Sequence, residues 1–233
     1  MGNSLNKYLA RVNPRYFAGI HRSAADVDVR FYLRAVHIER HPESGVVMVA
    51  TDGHTMAVIH DPNGWLQSDH TSILVERTSK RMLAAIARSR TSGLTPEHLW
   101  IADNCLVLSG NADASIEPDP FCSETICAER STLVDGKYPD WRRVIPKGDP
   151  GPCPSLNPEY LARFHDIARA LSGNKSYPGG GTTLVSLGPQ SSVIVRFHDA
   201  DLDTRFYGLI MPMRNEVLQS VPEFVKAWPE PQP

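Results

Sequence analysis

The sequence predicts an α+β fold in which antiparallel sheets are covered on one face by helices, and two observations carry that prediction. First, an Asn-Pro helix start occurs twice, as NPRYFA from Asn13 and NPEYLA from Asn157, 144 residues apart. Asn caps the helix and Pro stands at the first helical position, where its missing N–H costs nothing. Second, the chain between and after these starts switches to short apolar runs and period-two alternation, separated by turn residues.

Taken in order, Tyr16, Phe17 and Ile20 follow the first cap at helical spacing. Strands are predicted at Phe31–Ile38, Val46–Ala50, Met56–Ile59 and Ile73–Val75, with Glu43-Ser44-Gly45 as a turn. A second helix is expected from Ser79 to about Arg88, turning Met82, Leu83, Ile86 and Ala87 inward, with Thr78 or Ser79 as its cap. Strands return at Leu99–Ile101, Leu106–Leu108 and Thr125–Ala128. Pro146–Pro154, with four prolines and two glycines in nine residues, marks an extended connection. The helix from Asn157 carries Tyr160, Leu161, Phe164, Ile167, Ala168 and Leu171. It precedes a Tyr177–Gly181 loop and strands at Leu184–Leu187, Val193–Phe197 and Phe206–Met211, and the WPEPQP tail is expected to fray.

Size and charge narrow the function classes. A chain of 233 residues with 41% hydrophobic and 21% charged residues has the composition of a globular protein with a full core. Its formal net charge of −2 excludes attachment to nucleic acid by bulk positive charge. Any meeting with DNA requires a local basic face or enclosure of the duplex. No run approaches the roughly 20 apolar residues of a membrane span, and the start MGNSLNKYLARVN lacks a secretory apolar core, so a cytoplasmic location without membrane partners is expected. MGNSLN fits a myristoylation pattern only loosely, with Asn at position six. Cys105, Cys122, Cys127 and Cys153 form no C-x-x-C pair and read as buried small hydrophobes.

Motif by motif, catalysis finds little support. His37 and His41 in HIERH stand at metal-ligand spacing for a helix, but Glu39 is one place too late for a metalloprotease and the run reads as strand. Gly173-Asn174-Lys175-Ser176 lacks the order of a phosphate loop and follows a helix instead of opening one. Asp52 and His54 share one side of an extended segment, where turn capping is the simpler reading than acid–base work. No catalytic group, metal site or cofactor is expected. The helices instead carry Arg15 and Arg22, then Lys80, Arg81 and Arg88, then Arg163 and Arg169 beside their apolar faces. These define a solvated face or a weakly basic, DNA-facing surface.

Four segments now belong together: DVRFYL (Asp28–Leu33), ATDGHTMAV (Ala50–Val58), LVDGKYPDWRRVIP (Leu133–Pro146) and LIMPMR (Leu209–Arg214). In this order they resemble the middle domain of the bacterial DNA polymerase III beta subunit, the sliding clamp family, together with its exit into the last domain and its C-terminal strand. The resemblance implies a DNA-clamp-like fold, with a full clamp domain over 1–140 and a shortened one over 141–233. It implies a processivity factor without catalysis that docks short peptides of a replicative or repair polymerase beside double-stranded DNA. Carried over by motif, the hydrophobic peptide pocket is Leu33, Thr51, Gly53, His54, Met56, Pro139, Arg143, Val144, Leu209, Met211, Pro212 and Met213. Thr55 stands where the family commonly has Arg, and Met56 where it commonly has Leu, which implies an altered peptide preference.

The resemblance also sets limits. The family has three domains of two helix-plus-strands halves, and two chains close a ring. Three half-units are legible here, so a closed homo-oligomeric ring would need four chains. The alternatives are a non-ring interaction protein that competes for clamp-binding peptides and, from another class, a metal-dependent hydrolase built on the histidines.

Overall fold

A computed structural model describes residues 8–88, 93–173, 181–199 and 201–214. The MGNSLN start, Asn174–Ser176 of the phosphate-loop-like run, residues 177–180 and the WPEPQP tail lie outside them. In chain order the elements are β1 (Ala10–Val12), α1 (Pro14–His21), β2 (Ala35–Arg40), β3 (Val46–Thr51), β4 (Thr55–Asp61), β5 (Trp65–Leu66), β6 (Ser72–Glu76), α2 (Lys80–Ala87), β7 (His98–Ile101), β8 (Cys105–Ser109), β9 (Thr125–Arg130), α3 (Pro158–Ser172), β10 (Thr182–Val185), β11 (Val193–Phe197) and β12 (Phe206–Ile210).

The three helices among the described residues start where the caps place them. The Asn13 side chain accepts from the Arg15 and Tyr16 amides, Ser79 from Met82, and Asn157 from Glu159. α3 ends on Gly173 at φ +68°, the left-handed stop expected of glycine.

The strands form two antiparallel sheets, β5-β1-β7-β8-β9 and β10-β11-β12-β4-β3-β2-β6. Strand, helix, three strands occurs twice, as β1-α1-β2-β3-β4 and β6-α2-β7-β8-β9, and the two units exchange leading strands: β1 joins β7 and β6 joins β2. α3-β10-β11-β12 repeats the pattern without a leading strand among the described residues. Its last strand pairs with β4, so one seven-stranded sheet is shared by residues far apart in sequence.

Alternation along the strands builds the layers. Val36 and Ile38, Val46, Met48 and Ala50, Ala57 and Ile59, and Phe206 and Ile210 face inward with α1, α2 and α3 into the main core. Ala35, Val47 and Val49, Met56 and Val58, Leu74 and Leu209 face outward into a second, smaller cluster with Tyr138. Gly208 of β12 is required by this packing, because a Cβ there would stand 2.3 Å from the Phe164 ring of α3. Gly208→Ala should therefore cost about 1–3 kcal/mol by forcing α3 outward. A lower urea midpoint at unchanged slope would report it.

Three expectations need correction. Phe31–Arg34 is a 3₁₀ turn, and strand begins only at Ala35. The Asp28 carboxylate takes the Arg30 amide and guanidinium, a local turn that competes with the ladder. The last meander opens at Thr182 and breaks after Val185, because Ser186 turns its hydroxyl to Pro152 and Gly188. Of the cysteines only Cys127 is buried, and Cys153 is exposed in the proline-rich connection. Among the described residues no helix is long and apolar enough to cross a membrane.

Candidate functional site

An apolar cavity of about 210 Å³ opens on the outer face of the large sheet, at the joint of β4 and β12. Its floor is a row across three strands: Thr51 stands opposite Met56, and Met56 opposite Leu209. Leu33 from the 3₁₀ turn closes one side. The opposite wall is the returning segment Tyr138–Val144, whose Pro139, Trp141 and Val144 line the cavity. Met211 leaves β12 at the rim, its amide donating to the His54 carbonyl at 2.8 Å. Val144 and Met211 remain 43% and 38% exposed, an adaptable apolar lip.

Nine of the twelve sequence-predicted pocket residues meet here: Leu33, Thr51, Gly53, His54, Met56, Pro139, Val144, Leu209 and Met211. Arg143, Pro212 and Met213 do not line the cavity. Arg143 is exposed on the 3₁₀ turn Trp141–Val144, and Met213 continues along the chain with its amide on the Ser155 carbonyl. Sequence reasoning named Thr55 only as a departure from the family pattern and passed over Arg30, Tyr32, Tyr138, Asp140 and Trp141, all of which lie within the segments that it singled out.

The rim turn Asp52–Thr55 is pinned from both ends. The Asp52 carboxylate accepts from the His54 and Thr55 amides at 2.9 and 2.7 Å and from the Arg163 guanidinium of α3. Arg163 also donates to the Thr55 hydroxyl at 2.7 Å. Burial alone would raise the Asp52 pKa, but these hydrogen bonds outweigh it and hold the carboxyl below its usual range. The His54 ring stacks on Tyr160 with centroids 5.5 Å apart. Asp52 is thus a turn-capping residue, and α3 supports the pocket from behind.

The predicted basic residues divide. Arg15, Arg22, Arg163 and Arg169 line one groove of about 1020 Å³ beside α1 and α3. Lys80, Arg81 and Arg88 do not line it and stand exposed at α2. Asp26, Asp28, Asp52, Glu159 and Asp166 line the same groove. Arg163 is committed to Asp52, and Arg22 lies 4.0 Å from Asp166. The face is mixed in charge.

The histidines do not gather. His37 is on β2 and stacks on Tyr138 at 4.6 Å, while His41 packs on His60 at 4.3 Å. Among the described residues no group of three His, Cys, Asp or Glu side chains is arranged to hold a metal ion.

Comparison with solved structures shows the fold. A DNA polymerase sliding clamp from Pseudomonas aeruginosa superposes with a TM-score of 0.61 at 18% identity, over 89% of this chain and 66% of that one. A second from the same organism, bound to griselimycin, gives 0.52 at 19%, over 92% and 68%. The fold is that of the sliding clamps. In sequence the chain is similar to the beta sliding clamp of Escherichia coli K12, 34% identical over 125 residues. That match covers 54% of this chain and 29% of the relative, so the chain spans under a third of the length of the curated relatives it matches. No protein-family model matches it.

Proposed function

We propose that this chain is a clamp-like docking factor of DNA replication or repair, with no catalysis of its own. It takes a short linear peptide of a polymerase or repair protein in the cavity at the β4–β12 joint. The observation that carries this reading is the apolar floor made by the Met56–Leu209 cross-strand pair beneath an exposed Val144 and Met211 lip. Large apolar side chains left exposed around a preformed cavity are the mark of an interaction site. Residues 1–140 then form a complete clamp domain and 141–233 a shortened one. Docking beside double-stranded DNA would hold the partner enzyme at high effective concentration.

A second reading, a docking protein that does not encircle DNA, is favoured by the five carboxylates interleaved with the arginines of the helix groove. Phosphate-tracking faces need uncompensated cations. Fluorescence anisotropy with a labelled peptide carrying leucine and phenylalanine tests the docking reading, and saturable binding is the result expected. Light scattering and retention on nicked circular DNA separate the two forms. An oligomer retained on the circle supports encirclement. A monomer that binds peptide and slides off supports the second reading.

A further inference from the structure

The wall segment Tyr138–Val144 carries much of the pocket, yet it holds only the single 3₁₀ turn Trp141–Val144 and belongs to no ladder. Tyr138 meets Tyr32 edge-on, and a pair of residues outside the cavity also holds the segment. His37 and Glu39 stand two apart on β2 and so share its outer face. The His37 ring lies parallel to Tyr138, 4.6 Å between centroids and 3° between planes. The Glu39 carboxylate accepts from the Trp141 indole N–H at 3.1 Å, from both terminal nitrogens of Arg142, and is 3.3 Å from His37 Nε2. Arg142 also covers the Trp141 ring at 4.3 Å.

We propose that His37 and Glu39 are positioning residues that latch the Tyr138–Trp141 wall onto β2 and thereby set the width of the pocket. Neither residue lines the cavity, so their action is through Tyr138 and Trp141. Glu39 is 16% exposed. Burial alone would raise its pKa; hydrogen bonds from His37, Arg142 and Trp141 bring it down to about 2, so the latch stays charged at any working pH. The Trp141 N–H donates to the Glu39 carboxylate, and releasing it frees the wall to move away from the Met56–Leu209 floor.

The proposal deepens the docking reading, and its test has a readout that does not depend on it. In the full chain, Glu39→Ala should raise acrylamide quenching of Trp141, isolated as the difference from the matching Trp141→Phe chains. Affinity for the labelled leucine- and phenylalanine-bearing peptide should fall by about tenfold, the loss of a charged hydrogen-bond hub. Glu39→Gln, which keeps an acceptor for the indole, should restore most of both. Should Glu39→Ala fold poorly, Arg142→Met removes the salt bridge from the exposed side and should give the smaller change in the same direction. Unchanged Trp141 quenching in Glu39→Ala overturns the latch whatever the peptide does. Raised quenching with unchanged affinity overturns its role in setting the pocket. If the parent chain binds no peptide the docking reading fails, and the quenching difference alone still decides whether the latch exists.

Discussion

Met211→Ala should weaken binding of the labelled peptide by tenfold or more, about 1.4 kcal/mol, while Arg143→Ala changes it little. The contrast follows from position. Met211 forms the rim at the end of β12, is 38% exposed, and hangs from a backbone fixed by the bond from its amide to the His54 carbonyl. Truncation removes three side-chain atoms from the lip without disturbing the core, so folding is spared and affinity carries the loss. Arg143 shares the 3₁₀ turn with Val144, yet its side chain is outside the cavity and exposed. An exposed rim charge contributes little to affinity. Fluorescence anisotropy on both variants checks the pair, and equal losses would contradict the placement of the cavity.

The chain should also lose about 2 kcal/mol of stability between pH 7 and pH 5, through one buried histidine. His21, at the end of α1, is 1% exposed, and its Nε2 accepts from the Thr78 amide at 3.1 Å. That bond ties α1 to the start of α2, where Glu129 takes the Ser79 amide and the Thr78 and Ser79 hydroxyls. A protonated ring cannot accept. Burial, with the charges of Arg77 and Arg22 beside it, lowers the His21 pKa to about 3. In the unfolded chain it titrates near 6.5. Between those values the unfolded state binds the extra proton, so stability is complete above about pH 6.5 and falls by about 1.4 kcal/mol per pH unit below it. Glu39 has the opposite depressed-carboxylate case, whose contribution is present above its ordinary pKa and is lost only below about 4.5, outside this window. Urea unfolding at pH 7, 6 and 5 reads the slope. His21→Gln keeps an acceptor and does not titrate, so its stability should be flatter across that range.

What was legible in the sequence was local. The caps Asn13, Ser79 and Asn157 and the strand alternation each depend on a few neighbouring residues, and the structure has them where chemistry places them. The pocket was legible only because four separated segments resemble one family, and it came as motifs, without walls. Trp141 and Tyr138 lay inside a quoted segment, but their partners His37 and Glu39 are on β2, about a hundred residues earlier. Arg163 read as a surface cation because its partner, Asp52, is 111 residues away and meets it only through the β4–β12 joint. The same distance hid the use of His37, which a metal motif seemed to claim and an aromatic stack accounts for. Long-range pairing across sheets leaves no periodic mark in a sequence.

The most direct test of a docking pocket at the β4–β12 joint is methyl NMR of the methionine-labelled chain titrated with the peptide. Met56 and Met211 line the cavity, whereas Met48 and Met82 are wholly buried in the main core on the other side of the sheet. The account predicts that the Met56 and Met211 methyl signals move together and saturate while Met48 and Met82 stay in place. Binding that leaves Met56 and Met211 unmoved would contradict it.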